Sequence, residues 1–591
     1  MAAFSSQETV TMRQFKDPIH DYIPLSSDIC KVVDTKHFQR LRDIKQLGTS
    51  YYVWPGASHN RFEHCLGVAH LATLMVTHLQ RAQPELGITE RDVRCVILAG
   101  LCHDLGHGPW SHVWDSLFIP VALKGKKWCH EDASEMMLDD MIKQYPDLGI
   151  PPEDATFIKA LIAGAKKRCP DEKGFLFEIV ANKRNGLDVD KFDYIQRDSI
   201  AVGERGNLSL SRLITSARVI ENQICYDIKD SNQIYELCWT RFSFHKRIYN
   251  HKTAKAIEYM IVDAILAAEP YLSIAKQIEV PSRYLYLTDH IATTIEASED
   301  ERLAPAKKIF DRIRERKLYQ CVDYKVFQWA FYDTVRVRIT AENIADAVRK
   351  LSDPEIIAST TPVKENGEID EVPRSEDDVI DAEFVKAITA DHIVVTLSKM
   401  HYGMQDKNPL SFVKFYHKKT PDICMHASFH EVSHLMPEVF GEVLLRVYTK
   451  DIRYFGLIQA GYRSLLRSMP SQPDPTTPEK PTAHAPFDSP STPTNAATAE
   501  DAPSTPKAPF SRVSSRGYGS LGLGTGASGV DDSPFADNEF MTVSKRFPLA
   551  PASPSRSGGG GGVLALSIGK RQRAEGDSEV SGAELKKSKS K

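Results

Sequence analysis

The ten cysteines of this sequence form no CxxC pair. Neither a disulfide framework nor a thiolate metal knuckle is expected; reduced thiols in a cytosolic or nuclear protein are. Long apolar runs are also missing, so no segment is expected to span a membrane. The first eleven residues are polar and lack the apolar centre of a signal peptide. Charge of one sign is scarce too. Lys and Arg number 74 against 78 Asp and Glu, a formal net charge of -4, so no global field argues for nucleic acid or membrane binding. No internal repeat is visible. After about Pro470 large apolar residues become sparse, Pro, Ser, Thr, Gly and Ala take over, and Gly558 to Gly562 are consecutive glycines. Such a tail cannot offset its ordering entropy and is expected to be disordered.

What is present suffices for a large core: 42% of the 591 residues are hydrophobic, and length alone suggests about four domains. Residues 15–27 hold Asp17-Pro18 and Ile23-Pro24 and read as extended or turning, with His20-Asp21 a polar loop. Helical spacing of apolar residues marks 28–47, 61–80 (with Leu66, Leu71, Leu74, Met75 and Leu79 on the buried side) and 93–103. Residues 51–60 read as a loop. Further helices are expected at 131–144, 156–163, 175–182 and 189–200, then a long one over 233–268, broken once. From 278 to about 468 the character is mixed: 335–339, 392–397 and 412–416 alternate like strands, and 443–469 returns to helix. The fold class is therefore mainly α, with a smaller α+β C-terminal lobe and a disordered tail. The expected segments are 1–12 disordered, 13–270 helical domain, 271–469 α+β lobe for assembly or regulation, and 470–591 tail.

Eight of the twenty histidines lie between His59 and His130, which directs the search for chemistry there. An apolar helix runs into His103-Asp104 and is stopped by Gly106, Gly108 and Pro109. Imidazole and carboxylate side by side can converge on one divalent ion. His64, near the start of the second helix, offers a third ligand. A fourth comes from Asp190, which shares a helix face with Tyr194 and Asp198 at i, i+4, i+8. Two imidazoles and two carboxylates suit iron, manganese, zinc or magnesium, and spacing does not choose among them. Arg241, His245, Tyr249 and Lys252 fall at i, i+4, i+8, i+11. Three potential cations and a phenol on one stripe point to an anion between them, against the plainer reading of an exposed basic face.

The H…HD…D order of His64, His103-Asp104 and Asp190 resembles the HD superfamily of metal-dependent phosphohydrolases. The strings 38–42, 45–48, 51–64, 99–109 and 182–191 are similar, more specifically, to the sterile-alpha-motif and HD-domain deoxynucleoside triphosphate triphosphohydrolase family. The similarity runs from about Arg13 to about Lys450, and no sterile-alpha-motif segment precedes it. The resemblance implies an HD-domain helical core that hydrolyses deoxynucleoside triphosphates at the α-phosphorus, giving deoxynucleoside and inorganic triphosphate and so controlling dNTP pools. It implies one divalent transition metal (Fe, Zn or Mn) on His64, His103, Asp104 and Asp190, with Mg2+ accompanying the nucleotide. His130 matches the catalytic histidine, oriented by Asp115, with His112 the alternative acid. His107 and His112 complete the pocket. Arg61, Lys191, Tyr194, Arg241 and Lys252 match triphosphate contacts, Gln46 and Asp198 contacts to the sugar 3'-hydroxyl, and Tyr249 with Leu47 the floor under C2' that excludes ribonucleotides. Asn250 replaces the usual glutamine.

The same resemblance implies nucleotide-driven assembly of a homodimer or tetramer, with GTP and dNTP as activators. Asp34, Gln39 and Arg42 match the guanine-nucleotide site, and Arg212, Lys229 and His251 parts of the neighbouring site. Three features depart from the pattern: Lys16 stands for asparagine, Asp227 for a phosphate-clamping arginine, and 421–429 lacks the expected basic residues. In the tail, 570–573 and 586–591 resemble a two-part nuclear localisation signal, implying a nuclear and also cytoplasmic protein. Thr477-Pro and Ser553-Pro fit proline-directed kinase sites. Two competing readings are another HD phosphohydrolase acting on a monophosphate or cyclic nucleotide, and a silent HD protein that binds single-stranded nucleic acid at subunit grooves.

Overall fold

The computed structural model describes residues 11–469 apart from 125, 127, 205–207, 353–381, 429–431 and 434. The calls on the tail and on the first ten residues lie outside the described residues. Those described belong to one compact unit.

The chain opens with an antiparallel hairpin, β1 (Met12–Asp17) and β2 (Asp21–Ser26). Met12, assigned by sequence to the disordered N-terminus, starts the first strand. Asp17 shapes the turn: its Oδ1 accepts from the amides of Ile19 (2.8 Å) and His20 (2.9 Å). The single helix expected over 28–47 is instead Ser27–Val33, Lys36–Gln39 and a 3-10 turn, Arg40–Asp43. Thr35 is the reason. Its hydroxyl accepts from Phe38 N at 3.3 Å, restarting the helix one residue after Asp34 ends the first.

Helices Arg61–Ala82, Glu90–Cys102 and Val189–Ala201 pack together as the frame of the helical part. Leu74, expected on the buried side of the first, is exposed. Helix His130–Gln144 packs on Pro152–Ile162. The helix expected at 175–182 is two short turns, Gly174–Leu176 and Phe177–Val180. The long helix expected over 233–268 is Ser231–Phe244, a π-helical turn His245–Tyr249, a break, and Lys252–Leu272. The break is held from outside, because Ser398 Oγ donates to Asn250 Oδ1 at 2.9 Å and Arg446 donates to the Asn250 carbonyl.

Strands β3 (Arg218–Ile220), β4 (Gln223–Asp227), β5 (Gln320–Gln328), β6 (Ile393–His401), β7 (Phe415–His417), β8 (Thr420–Met425) and β9 (Gly441–Thr449) form two further sheets, in the orders β3-β4-β7-β8 and β5-β9-β6. Two expectations fail here. Residues 443–449 are strand, not helix, and the expected helix begins only at Phe455 and runs Phe455–Arg467. The central strand β9 is apolar on both faces: Leu444 and Tyr448 enter the main core, while Val443, Leu445 and Val447 enter a second one. A strand buried on both sides loses the alternation that identifies it. Conversely 335–339 lies in and just after the helix Tyr332–Arg338. Val335 and Ile339, four apart, are buried, whereas Val337 is 66% exposed; a strand would have put all three on one face. The third strand call survives as Phe415–His417 only, since Pro409–Phe412 is a 3-10 turn.

Arg40 joins the first turns to the later chain. It is buried and donates to the carbonyls of Tyr284 (3.0 Å), Leu105 (3.2 Å) and Leu287 (2.7 Å). Arg40→Met fills the space but strands three acceptors. At about 1–3 kcal/mol for a buried unpaired group, the expected loss is on the order of 3 kcal/mol, read as a fall in denaturant midpoint. An unchanged midpoint would contradict it.

Candidate active site

The first turn of Arg61–Ala82 delivers two site residues. Its capping box fixes the turn: Asn60 caps the amide at the third position and Glu63 accepts from Asn60 N at 2.8 Å. Arg61 and His64 are thereby held inward, both buried. His103 caps the C-terminus of Glu90–Cys102 and Asp104 follows it. Gly106 then lets the loop touch the next helix, because a Cβ there would lie 2.1 Å from the His130 carbonyl oxygen. Its amide donates to Ser134 Oγ at 2.9 Å, which sets His130 beside His107.

The four residues expected to hold a metal converge. His64 Nε2 lies 3.1 Å from Asp190 Oδ1 and 3.6 Å from Asp104 Oδ2. His103 Nε2 lies 3.4 Å from Asp104 Oδ1 and 3.5 Å from Asp190 Oδ1. That nitrogen is buried without a hydrogen bond, while Nδ1 is engaged by the Gly100 carbonyl at 2.8 Å. Burial disfavours charged imidazoles, yet Asp104 and Asp190 raise the pKa of both His103 and His64, and Asp193 adds to the rise at His64. The pocket thus favours positive charge, and the His103 nitrogen faces the carboxylates of Asp104 and Asp190. His64, His103 and Asp190 fit one divalent cation, with Asp104 beside them and held by Arg61 and His107.

Arg61 turns to the same place. Its NH1 meets Asp104 Oδ2 at 2.5 Å and its Nε meets Ser111 Oγ at 3.0 Å. A cavity of about 160 Å³ opens beside the cluster, lined among others by His103, Asp104, His130, Glu131, Asn182, Lys183, Asp190 and Lys191. Lys191 Nζ rests on Asp188 Oδ2 at 3.0 Å.

Three imidazoles stand next to the cluster. His107 stacks on His130 with centroids 3.9 Å apart and planes 18° apart. His112 meets them edge-on at 5.0 and 5.3 Å. Asp115 serves two of them: Oδ2 is 2.6 Å from His130 Nδ1 and Oδ1 is 3.7 Å from His112 Nδ1. These four side chains also lie close enough for a cation. Parallel stacked rings direct their lone pairs side by side rather than toward one point, so proton handling suits them better. Burial opposes the His130 imidazolium, but Asp115 outweighs it and the pKa is raised. Burial, with Arg61 and His130, pushes His107 well down.

A further cluster brings Tyr194 and Asp198 up to Arg241, His245 and Tyr249. Tyr249 OH donates to Asp198 Oδ2 at 2.6 Å, and His59 Nε2 lies 2.8 Å from Asp198 Oδ1. Arg241 NH1 donates to the His401 carbonyl at 2.7 Å, leaving Nε buried without a partner. Burial, then Arg241, pushes His245 well below its ordinary pKa, so it is neutral and not the third cation that its position on the stripe promised. Gln46 is buried with Oε1 unpartnered, and Leu47 is half-buried beside it.

Two expected contacts are not brought here. The π-helical turn and the break at Asn250–His251 end the helical stripe, so Lys252 starts a new helix, exposed, its carbonyl accepting from Tyr448 OH at 3.1 Å. Asn250 is consumed by Ser398 and by the His245 carbonyl, to which its Nδ2 donates at 2.8 Å. Asp34, Gln39 and Arg42 lie on consecutive turns. Asp34 is held by Arg13 through two 2.7 Å bonds, Gln39 Oε1 accepts from Arg42 Nε at 2.8 Å, and Arg42 lies over the Phe62 ring at 3.5 Å. Arg212 pairs with Asp230; Asp227 Oδ1 accepts from Lys229 N at 3.0 Å; His251 Nδ1 accepts from Thr253 N at 3.3 Å. Lys16 pairs with Asp21.

Sequence reasoning missed three groups. His20-Asp21, read as a polar loop, places His20 Nε2 2.7 Å from Asp193 Oδ1 in the interior. Asp193 itself is fully buried against His64 Nδ1 at 2.8 Å. His59 orients Asp198. Asp193 sits three residues after Asp190, on the metal-facing side of the same helix, and that spacing was the available signal.

Comparison with known proteins bears on this site. The HD domain family matches residues 61–167. The human deoxynucleoside triphosphate triphosphohydrolase SAMHD1 is 40% identical over 476 residues, 75% of this chain and 71% of that protein. The chain belongs to the SAMHD1 family. The Dictyostelium discoideum homologue of SAMHD1 is 36% identical over 460 residues, 78% of this chain and 82% of its own, and the zebrafish SAMHD1 is 39% identical over 479, covering 76% and 72%. SAMHD1 membership fits the expected HD-domain helical core, and the HD match spans His64, His103, Asp104 and the three imidazoles.

His103→Ala removes one of the two imidazole nitrogens that face Asp104 and Asp190, and is expected to abolish stoichiometric divalent metal, measured by elemental analysis of the purified protein. Full metal content in that variant would contradict the ligand assignment.

Proposed function

We propose that this protein hydrolyses deoxynucleoside triphosphates at the α-phosphorus, releasing a deoxynucleoside and inorganic triphosphate. The observation that carries this reading is the convergence of His64, His103 and Asp190 on one point, with Asp104 3.4–3.6 Å from both imidazoles, in a SAMHD1-family chain. A bound divalent ion supplies Lewis-acid polarisation of a phosphate oxygen and a more acidic water. Iron, zinc or manganese suits the two imidazoles and two carboxylates, with Mg2+ escorting the nucleotide.

The chain's own groups do the rest. Lys191, which lines the cavity, together with Arg61 beside Asp104 and Arg241, supplies positive charge for the triphosphate, more than a monophosphate or cyclic nucleotide needs. Water oxygen bonds to the α-phosphorus as the bond to O5' breaks, and O5' leaves with a proton. His130 gives that proton, held by Asp115 at 2.6 Å; His112, on the other oxygen of Asp115, is the alternative. Tyr249, anchored on Asp198 at 2.6 Å, is a rigid floor under C2', and the free Gln46 Oε1 accepts from the 3'-hydroxyl.

Regulation is part of the proposal. Asp34, Gln39 and Arg42 form a guanine-nucleotide site, with Arg212, Lys229 and His251 at a neighbouring dNTP site of a homotetramer that works in the nucleus. A guanine edge at Asp34 has to displace Arg13, and Asp227 adds a carboxylate where phosphates would lie, so the protein either assembles without GTP or is activated only at high nucleotide concentration.

Incubating the protein with each deoxynucleoside triphosphate, with and without GTP, and resolving products tests the activity; nucleoside monophosphate and pyrophosphate as products would overturn it. His130→Ala is expected to lower turnover by about 10²–10⁴-fold yet spare a p-nitrophenyl phosphodiester, whose leaving group needs no proton. The same pattern in His112→Ala instead would move the acid to His112.

A further inference from the structure

We propose that the N-terminal hairpin holds the metal centre in register, through Asp193 acting as the positioning residue for His64. The inference rests on the metal-centre reading above.

An imidazole offers Nε2 to a cation only when Nδ1 keeps its proton. Asp193 Oδ2 lies 2.8 Å from His64 Nδ1, which fixes that tautomer and aims Nε2 at Asp190 and Asp104. Nothing intervenes between carboxylate and helix, because position 67 is glycine and a Cβ there would sit 1.9 Å from Asp193 Oδ1.

A fully buried carboxylate stays in place only if its remaining lone pairs are met. Arg197 meets Oδ2 through Nε at 2.8 Å and Oδ1 through NH2 at 2.9 Å. His20 Nε2 meets Oδ1 at 2.7 Å. Arg197 in turn reaches Asp17 Oδ2 at 2.8 Å. Asp17 is the residue that closes the hairpin turn by accepting from Ile19 N and His20 N. One carboxylate therefore builds the turn, aims His20 and neutralises Arg197. The chain from hairpin to metal ligand is Asp17, His20 and Arg197, then Asp193, then His64, without a gap and almost without solvent.

Such outer partners typically carry about 10- to 100-fold in metal affinity. Full-length His20→Ala, His20→Gln and Asp193→Asn are titrated with Mn2+ and Zn2+ after chelator treatment, and the metal-free proteins are melted in parallel. His20→Ala is expected to bind metal about 10- to 100-fold more weakly, while its metal-free form, in which Arg197 still holds Asp193, loses less stability than that change in affinity represents. His20→Gln, whose amide can donate to Asp193, regains most of the affinity, and Asp193→Asn loses more than His20→Ala. Wild-type affinity in His20→Ala overturns the proposal. So does a loss matched by an equal fall in metal-free melting temperature, or one that Gln does not rescue, since either makes the contact merely structural. His103→Ala separates the two readings. If wild type binds metal, His103→Ala does not, and His20→Ala equals wild type, only the hairpin link falls; if wild type binds none, the metal centre falls with it.

Discussion

A carboxylate removed from water has to be met by a proton donor or a cation, and this constraint organises the interior of the protein. Four buried or nearly buried aspartates each bracket an imidazole with a second donor. Asp193 stands between His64, His20 and Arg197. Asp104 stands between His107 and Arg61. Asp115 joins His130 to His112, and Asp198 joins His59 to Tyr249. Each bracket fixes a ring's orientation and tautomer, so the chemistry of the site is largely decided by where its acids lie.

The backbone makes room for these brackets by departing from regular geometry. Both π-helical turns among the described residues, Trp114–Phe118 and His245–Tyr249, carry site residues. Trp110 and Ser111 take positive φ (53° and 56°) between the His103-Asp104 corner and the first of these turns. Asp289 holds that strained stretch, accepting from Trp110 N at 2.7 Å and Lys45 N at 2.9 Å. Strain here positions Ser111 against Arg61 and Asp115 against His130.

The second lobe supports the site from behind. Strand β9 divides two cores, one face on the helical frame and the other on the helices of the lobe. Its Arg446, with Ser398 of β6, grips Asn250 where the long helix breaks. His401 at the end of β6 receives Arg241. The cluster of Arg241, His245 and Tyr249 is thus braced by a sheet distant in sequence.

The order His64, His103-Asp104, Asp190 was legible because each residue sits at a helix end or on a face whose period shows in the sequence. Histidine density marked the region of His107, His112 and His130, but their grouping was implied only by the family resemblance. Most helices could be read the same way, since their apolar stripes repeat at 3.6. Strand β9 could not, because burial on both faces erases alternation, and 335–339 could not, because a five-residue alternation fits either period. Lys252 was misplaced because a helical stripe assumes an unbroken helix, and the break is imposed by Ser398 and Arg446 from another part of the chain. His20 and His59 were invisible as site residues because their role is a contact across distant segments, whereas Asp193 showed only in its spacing from Asp190. The sequence by itself determined which groups could hold a cation and move a proton; only tertiary structure decided which nitrogen faces which carboxylate, since that depends on charge neutralised across segments that local periodicity does not relate.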